Sequence, residues 1–273
     1  GTNNITVNGN ATGTAGTVNL TGGTFEQRVS ASKNFGPTTA STSWTFSTLT
    51  FSNSNAGATP ITITAQSCST CGVTVSTALN IGKNTDAVGA TTTLNAGDKT
   101  WTLSGSGTSV MVLATSPAAV FTASTSTMNY TGSSATTTAA ATYNNLGVGT
   151  TSDTGAGVAY TLGGDTTVPG TLTVGNASST NTDTLVGSTF TLTLSGSIAT
   201  PFSLTAKGAF SAGTSTVSYT GINGSGNVNV ATATYSGLTA NPSSAETYDV
   251  AGSFTASGTL NVGTNATLSI ASG

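Results

Sequence analysis

The sequence predicts an all-β fold, a parallel β-solenoid (β-helix) of about three repeats of roughly ninety residues each. Recurring phrases are the strongest sign. Residues 121–132 read FTASTSTMNYTG and residues 210–221 read FSAGTSTVSYTG, and each is followed by a shared ATY-x-x-L phrase at 141–146 and 233–238. A third phrase appears three times, as VSTALNIG at 75–82, VPGTLTVG at 168–175 and ASGTLNVG at 256–263. The second sign is strict period-2 alternation in short runs broken by glycine and asparagine corners, which is strand patterning. The third is composition: 36% hydrophobic, 5% charged and 6% aromatic, with 35 glycines.

Each predicted element follows from these patterns. In Thr189 to Gly196, and in its counterpart Lys99 to Gly105, apolar residues alternate with Thr or Ser, as a half-buried strand requires. Corners fall at Asn8-Gly9-Asn10, Gly163-Gly164-Asp165 and Asn223-Gly224-Ser225-Gly226, all residue types that tolerate tight turns. Pro169 and Pro201 are expected at strand starts, where the missing N–H is tolerated. The first period is the most divergent, and its Ser43 to Phe51 run stands where ATY-x-x-L stands later. No capped stretch of helical period occurs, so almost no helix is expected.

The periods, approximately 1–81, 82–174 and 175–273, are read as one continuous β-repeat domain over 1–273. About four coils of some 20 to 25 residues would make up each period. The alternative is a string of tandem immunoglobulin-like β-sandwiches. Single-corner spacing, few aromatics and outward Thr, Ser and Asn favour the solenoid. Residues 5–12 (ITVNGNAT) also resemble residues 260–267 (LNVGTNAT), so the two ends share one phase of the repeat.

Charge narrows the functional classes. The net charge is −3 and mean hydropathy +0.11, with five Lys and Arg scattered singly, which leaves no footprint for nucleic acid. No apolar run is long enough for a membrane-spanning helix. The lack of an initiator Met and of a leader-like segment suits a processed polypeptide or an excised fragment. With no His, a Ser-His-Asp triad is impossible. The eight carboxylates are Glu26, Asp86, Asp98, Asp153, Asp165, Asp183, Glu246 and Asp249. Asp153 with Asp165 and Glu246 with Asp249 are the pairs to weigh for glycoside hydrolysis. Their turn-like surroundings read instead as solvated loops. Asp86 and Asp98 are weighed for a weak cation site, although no calcium-loop motif is present. The expectation is no catalytic site, no cofactor and no metal.

Cys68 and Cys71 form a CxxC without the further ligands zinc requires and without a thioredoxin-like context. A local disulfide or two inert thiols remain, and the disulfide suits an exported chain. Seven N-x-[ST] sequons, at Asn4, Asn10, Asn19, Asn129, Asn176, Asn223 and Asn265, are candidate glycosylation sites. Trp44 and Trp101 lie in alternating strands, where core packing competes with a role as adhesive contacts. TxT units at 171–173 and 189–193 raise a less favoured ice-binding option, but they fall irregularly along the chain.

The phrases FSAGTSTVSYTG, ATYSGL and GTLNVGTNATLSI resemble repeats of bacterial surface β-helix proteins, the filamentous-haemagglutinin-like and autotransporter-passenger-like adhesins. The resemblance covers residues 121–273 well and 1–117 loosely. It implies export to the cell surface, a structural or adhesive role and no cofactor, and it carries over no catalytic residue. The functional expectation is a non-enzymatic structural subunit of an extracellular filament or cell-surface fibre. Such a subunit would assemble as a head-to-tail homo-polymer through open β ends, where the first charge is Glu26 and the last is Asp249. A repeat segment of a large surface adhesin, with a surface ligand, is the alternative.

Overall fold

The computed structural model describes residues 3–149 and 156–270, and every element among them is a β-strand, with no helix. The chain folds as two compact units, residues 1–129 and 130–273.

In the first unit, strands Ile5–Val7, Asn19–Val29, Ser43–Asn53, Gly72–Ile81 and Thr100–Leu103 lie side by side in that order. A second sheet takes Ala11–Gly13, Lys33–Pro37, Ile61–Ala65, Thr92–Asn95 and Val120–Thr122. Neighbours in a sheet are not neighbours in sequence, and the intervening strand belongs to the other sheet. Each strand therefore pairs with the chain one circuit later, in parallel. The shortest circuit runs from Ile5 to Phe25 and the longest from Leu79 to Met111. That range is wider than the 20 to 25 residues expected, because long corners, such as residues 82–91, are inserted between strands.

Strand alternation sends every second residue inward, and parallel register then stacks like on like. One inward column is Ile5, Phe25, Leu49, Leu79 and Met111. The outward column Asn19, Thr45, Thr74, Thr102 carries only polar residues. The core of this unit is aromatic. Phe35 meets Phe51 at 4.9 Å, Trp44 at 5.7 Å and Trp101 at 6.0 Å between ring centroids. Trp44 is 6% exposed and Trp101 is fully buried, so neither is available as an adhesive contact. Large rings are costly to leave in water, and here they gather in one buried cluster.

The second unit repeats the plan. Asn145–Val148, Leu172–Val174 and Phe202–Leu204 lie side by side in that order, and Thr136–Thr138, Ala159–Leu162, Asp183–Val186 and Gly208–Ser211 form another sheet. A third holds Thr166–Val168, Thr191–Leu194, Thr216–Tyr219, Gly237–Ala240 and Leu260–Val262. Val228–Val230, Glu246–Val250 and Ala266–Ile270 pair, as do Thr234–Tyr235 and Thr255–Ala256. Pro201 immediately precedes its strand, whereas Pro169 closes the strand Thr166–Val168 and turns the corner. All strand pairings described are parallel, which is consistent with a β-solenoid. Immunoglobulin-like sandwiches are antiparallel. That alternative is not this fold.

All six tyrosines of the chain lie in this unit, and they form one device twice. Tyr130 Oη accepts from Ala139 N at 3.1 Å, Tyr143 Oη donates to Ala139 O at 2.7 Å, and the two phenols are 2.9 Å apart. In the second copy Tyr219 accepts from Ala231 N at 3.1 Å, Tyr235 donates to Ala231 O at 2.6 Å, and the phenols stand 3.5 Å apart. The third member, Tyr160 or Tyr248, donates to Gly132 O or Gly221 O at 2.7 and 2.8 Å. Buried polar tips need partners. Here the phenols supply hydrogen bonds for corner backbone that no strand can pair.

Candidate functional site

The described carboxylates weighed above as catalytic pairs are employed elsewhere. Asp165 Oδ1 accepts from Thr191 N at 2.8 Å and Asp183 Oδ1 from Val158 N at 2.8 Å, each across one circuit. Asp153 lies outside the described residues. Glu246 and Asp249 are not in a solvated loop: they sit in the strand Glu246–Val250, and Glu246 is 8% exposed. Glu246 accepts from the Asn223 and Thr247 N–H groups, and Asp249 Oδ2 from Asn227 Nδ2 at 2.7 Å. Alternation turns Glu246 inward and Asp249 outward.

Asp86 and Asp98 serve separate purposes. The buried Asp86 carboxylate takes N–H groups from Asn53 and Lys83 at 3.1 Å each and faces Arg28 at 3.4 Å. Glu26 joins the same network through Lys83 at 2.7 Å and Arg28 at 3.6 Å. Burial alone would raise the Glu26 carboxyl. The Lys83 ammonium, the Ser52 hydroxyl and Arg28 outweigh it and hold the group below its ordinary value. Asp98 accepts from Cys68 N at 2.6 Å and Ser67 Oγ at 2.8 Å. It too is held low, its hydrogen bonds overcoming desolvation. Among the described residues no group of three His, Cys, Asp or Glu is placed to hold a metal. Likewise no helix is long and apolar enough to cross a membrane.

Cys68 and Cys71 are joined by a disulfide, which closes the corner that Asp98 anchors. Of the sequon asparagines, Asn4, Asn10, Asn19 and Asn265 are exposed, while Asn129, Asn176 and Asn223 are half-buried. Asn4 and Asn10 also accept the N–H of Thr24 and of Asn34 one circuit on, at 3.0 and 2.9 Å. Asn145 does the same for Thr171, and Asn84 for Thr115 and Ser116. These side-chain clamps between circuits were not anticipated from the sequence. Their signal, a corner Asn or Asp one circuit before a strand, is blurred because circuit length varies.

The outward hydroxyls align in one sheet. Thr167, Thr193, Ser218, Thr239 and Asn261 share a column by register. The adjacent column, Thr191 and Thr216, is interrupted at Gly237.

Of the exposed large apolar side chains among the described residues, Val88, Val112 and Val120 lie within the first unit, and the other four lie at two strand edges. Ile5, 42% exposed, heads an inward column that runs through half-buried Phe25 to the fully buried Leu49 and Leu79. At the other edge Leu260, Val262 and Ile270 are 45%, 42% and 63% exposed. They continue the inward columns Val217–Leu238, Tyr219–Ala240 and Val230–Val250, whose other members are buried. These side chains are exposed because no described strand lies beyond them. The strand Ile5–Val7 pairs on one side only among the described residues, as do Ala11–Gly13, Leu260–Val262 and Ala266–Ile270. Neither edge carries a charged residue: Ile5–Val7, Ala11–Gly13, Leu260–Val262 and Ala266–Ile270 are wholly uncharged. Charged or proline-blocked edges are the usual protection against further pairing, and it is missing here.

No protein-family model, curated protein or solved structure matches this chain.

Proposed function

We propose that this protein is a non-enzymatic structural subunit of an extracellular filament or cell-surface fibre. Its three periods wind as a β-solenoid, and copies assemble head to tail through their exposed β edges. The observation that carries this is the pair of uncharged edges on which inward apolar columns end uncovered. Ile5, Leu260, Val262 and Ile270 are already about half covered, so burying the rest would contribute roughly 0.7–1.5 kcal/mol per side chain, and pairing would satisfy rows of backbone groups. The duplicated three-tyrosine device, recurring about ninety residues on, supports a repeated structural unit. The Cys68–Cys71 disulfide belongs with an oxidising, extracellular setting. An asymmetric contact that does not close yields an open polymer. Neither cofactor nor catalytic site enters this function, and glycans on the exposed sequons would supply solubility that so few charges do not.

A second arrangement is a repeat segment of a large surface adhesin, in which further circuits of one chain cover the same edges. The resemblance of the phrases 210–221 and 258–270 to adhesin repeats favours it. Electron microscopy and sedimentation of the purified chain separate the two. Fibres that lengthen with concentration are expected; a monomer that persists at high concentration defeats the filament. Intact-mass measurement of native material reads out the glycans directly.

A further inference from the structure

The two edges match one another closely enough to fix how copies meet. Resting on the filament function above, we propose that residues 260–270 of one copy pair in parallel with residues 5–13 of a second copy in a single register. Leu260 lies on Ile5, Val262 on Val7 and Ala266 on Ala11, and Leu268 and Ile270 fill a cavity beside Gly13 and Ala15.

Geometry singles out this register. Both edges are built as a three-residue strand, a three-residue corner and a second strand: Ile5–Val7 then Ala11–Gly13, and Leu260–Val262 then Ala266–Ile270. The corners, Asn8-Gly9-Asn10 and Gly263-Thr264-Asn265, therefore superpose only when Leu260 meets Ile5. Inward phase agrees as well. Ile5 continues the Phe25 column and Ala11 the buried Phe35 column, while Leu260 continues that of Leu238 and Leu268 that of Tyr248. A slip of one residue would turn every apolar side chain outward. A slip of two would set a corner against a strand.

Size complementarity is the independent observation. Beside the first edge lies an open cavity of about 380 Å³, walled by Phe25, Trp44 and Phe46 and floored by Gly13, Ala15 and Gly16. The first circuit carries Ala11 and Gly13 where the next carries Phe35 and Pro37. Gly13 has Trp44 Cζ2 only 2.9 Å from where a Cβ would stand, so the aromatic wall already closes on this position. In the proposed register Leu268 lies opposite Gly13, and Ile270 extends past the strand end toward the bend at residues 14–16. Large side chains on one edge thus face the gap on the other. Outward, Asn261 falls on Thr6 and Thr267 on Thr12, polar on polar, with no charge on either strand set.

The test uses the full chain with each edge blocked in turn. Ile5→Asp spoils one edge and Leu268→Asp the other, so each variant alone should stay monomeric while their equimolar mixture forms discrete dimers. Leu268→Ala should weaken association roughly thirtyfold, the level of an interface hot spot. Register is read separately, by a pair of variants that leave both edges intact. Val7→Cys mixed with Val262→Cys should cross-link under oxidation far faster than Val7→Cys with Leu260→Cys. If the wild type assembles but the mixture gives no dimers, or the offset pair cross-links equally well, this register is wrong while fibre formation survives. If the wild type never assembles, both fall.

Discussion

Removing the Tyr143 hydroxyl should destabilise the second unit by about 2 to 4 kcal/mol, although the ring that fills the core is kept. A phenol has a single proton, and that of Tyr143 goes to Ala139 O at 2.7 Å. The 2.9 Å contact to Tyr130 is then donated by Tyr130, which in turn accepts from Ala139 N. The four groups close a ring with both backbone polar atoms of Ala139 inside it. Tyr143→Phe leaves the Ala139 carbonyl without that donor, which costs roughly 1 to 3 kcal/mol, and removes one hydrogen bond of the Tyr130 hydroxyl, which costs about 0.5 to 1.5 kcal/mol. Tyr130→Phe orphans the Ala139 N–H instead. The double variant loses the phenol–phenol contact only once, so its loss should fall short of the sum by about 0.5 to 3 kcal/mol. Urea unfolding of the full chain, followed by circular dichroism with the m-value checked for constancy, measures all three. Tyr235→Phe is the internal comparison and should cost less, because its phenol pair stands at 3.5 Å. A Tyr143→Phe change within 0.5 kcal/mol of wild type, or strict additivity in the cycle, would refute the ring.

Three further outcomes follow from the same structure. Burial pushes the Tyr130, Tyr219 and Tyr248 phenols up to about 12 from an ordinary 10.0, so their stabilisation is complete below pH 10 and is lost as pH rises towards about 12. Tyrosinate absorbance should therefore appear together with loss of β signal; reversible titration near pH 10 with the fold intact contradicts this. On the acid side, Glu26 and Asp98 are held below their ordinary values, so what they contribute is present above the usual carboxylate range and lost as pH falls below it. Glu26→Gln should flatten the acid limb of a stability–pH curve, and an unchanged limb would count against the network with Lys83 and Arg28. Gly175, at φ +84° with its absent Cβ directed into Lys207 O, should not tolerate Ala: a loss of about 2 kcal/mol or more is expected in thermal unfolding, and a neutral variant would show that the corner relaxes.

The sequence by itself determined the strand character and the inward set. Thr191–Leu194 buries Leu192 and Leu194 as its alternation requires, and the repeated phrases place Tyr130 and Tyr143 where Tyr219 and Tyr235 recur. Period-2 alternation and self-similarity are local properties, so a linear reading captures them. It also held the likeness of the two ends. Tertiary structure decided which circuit each strand joins, because corners of unequal length make the partner of Leu79 lie 32 positions on and that of Ile5 only 20. It decided that Glu246 is buried, that Asp165 and Asp183 clamp backbone one circuit away, and that both tryptophans belong to the core. It alone set a cavity beside Gly13 at one edge and uncovered Leu260, Val262 and Ile270 at the other, since exposure depends on what stacks above a residue and not on its neighbours in the chain.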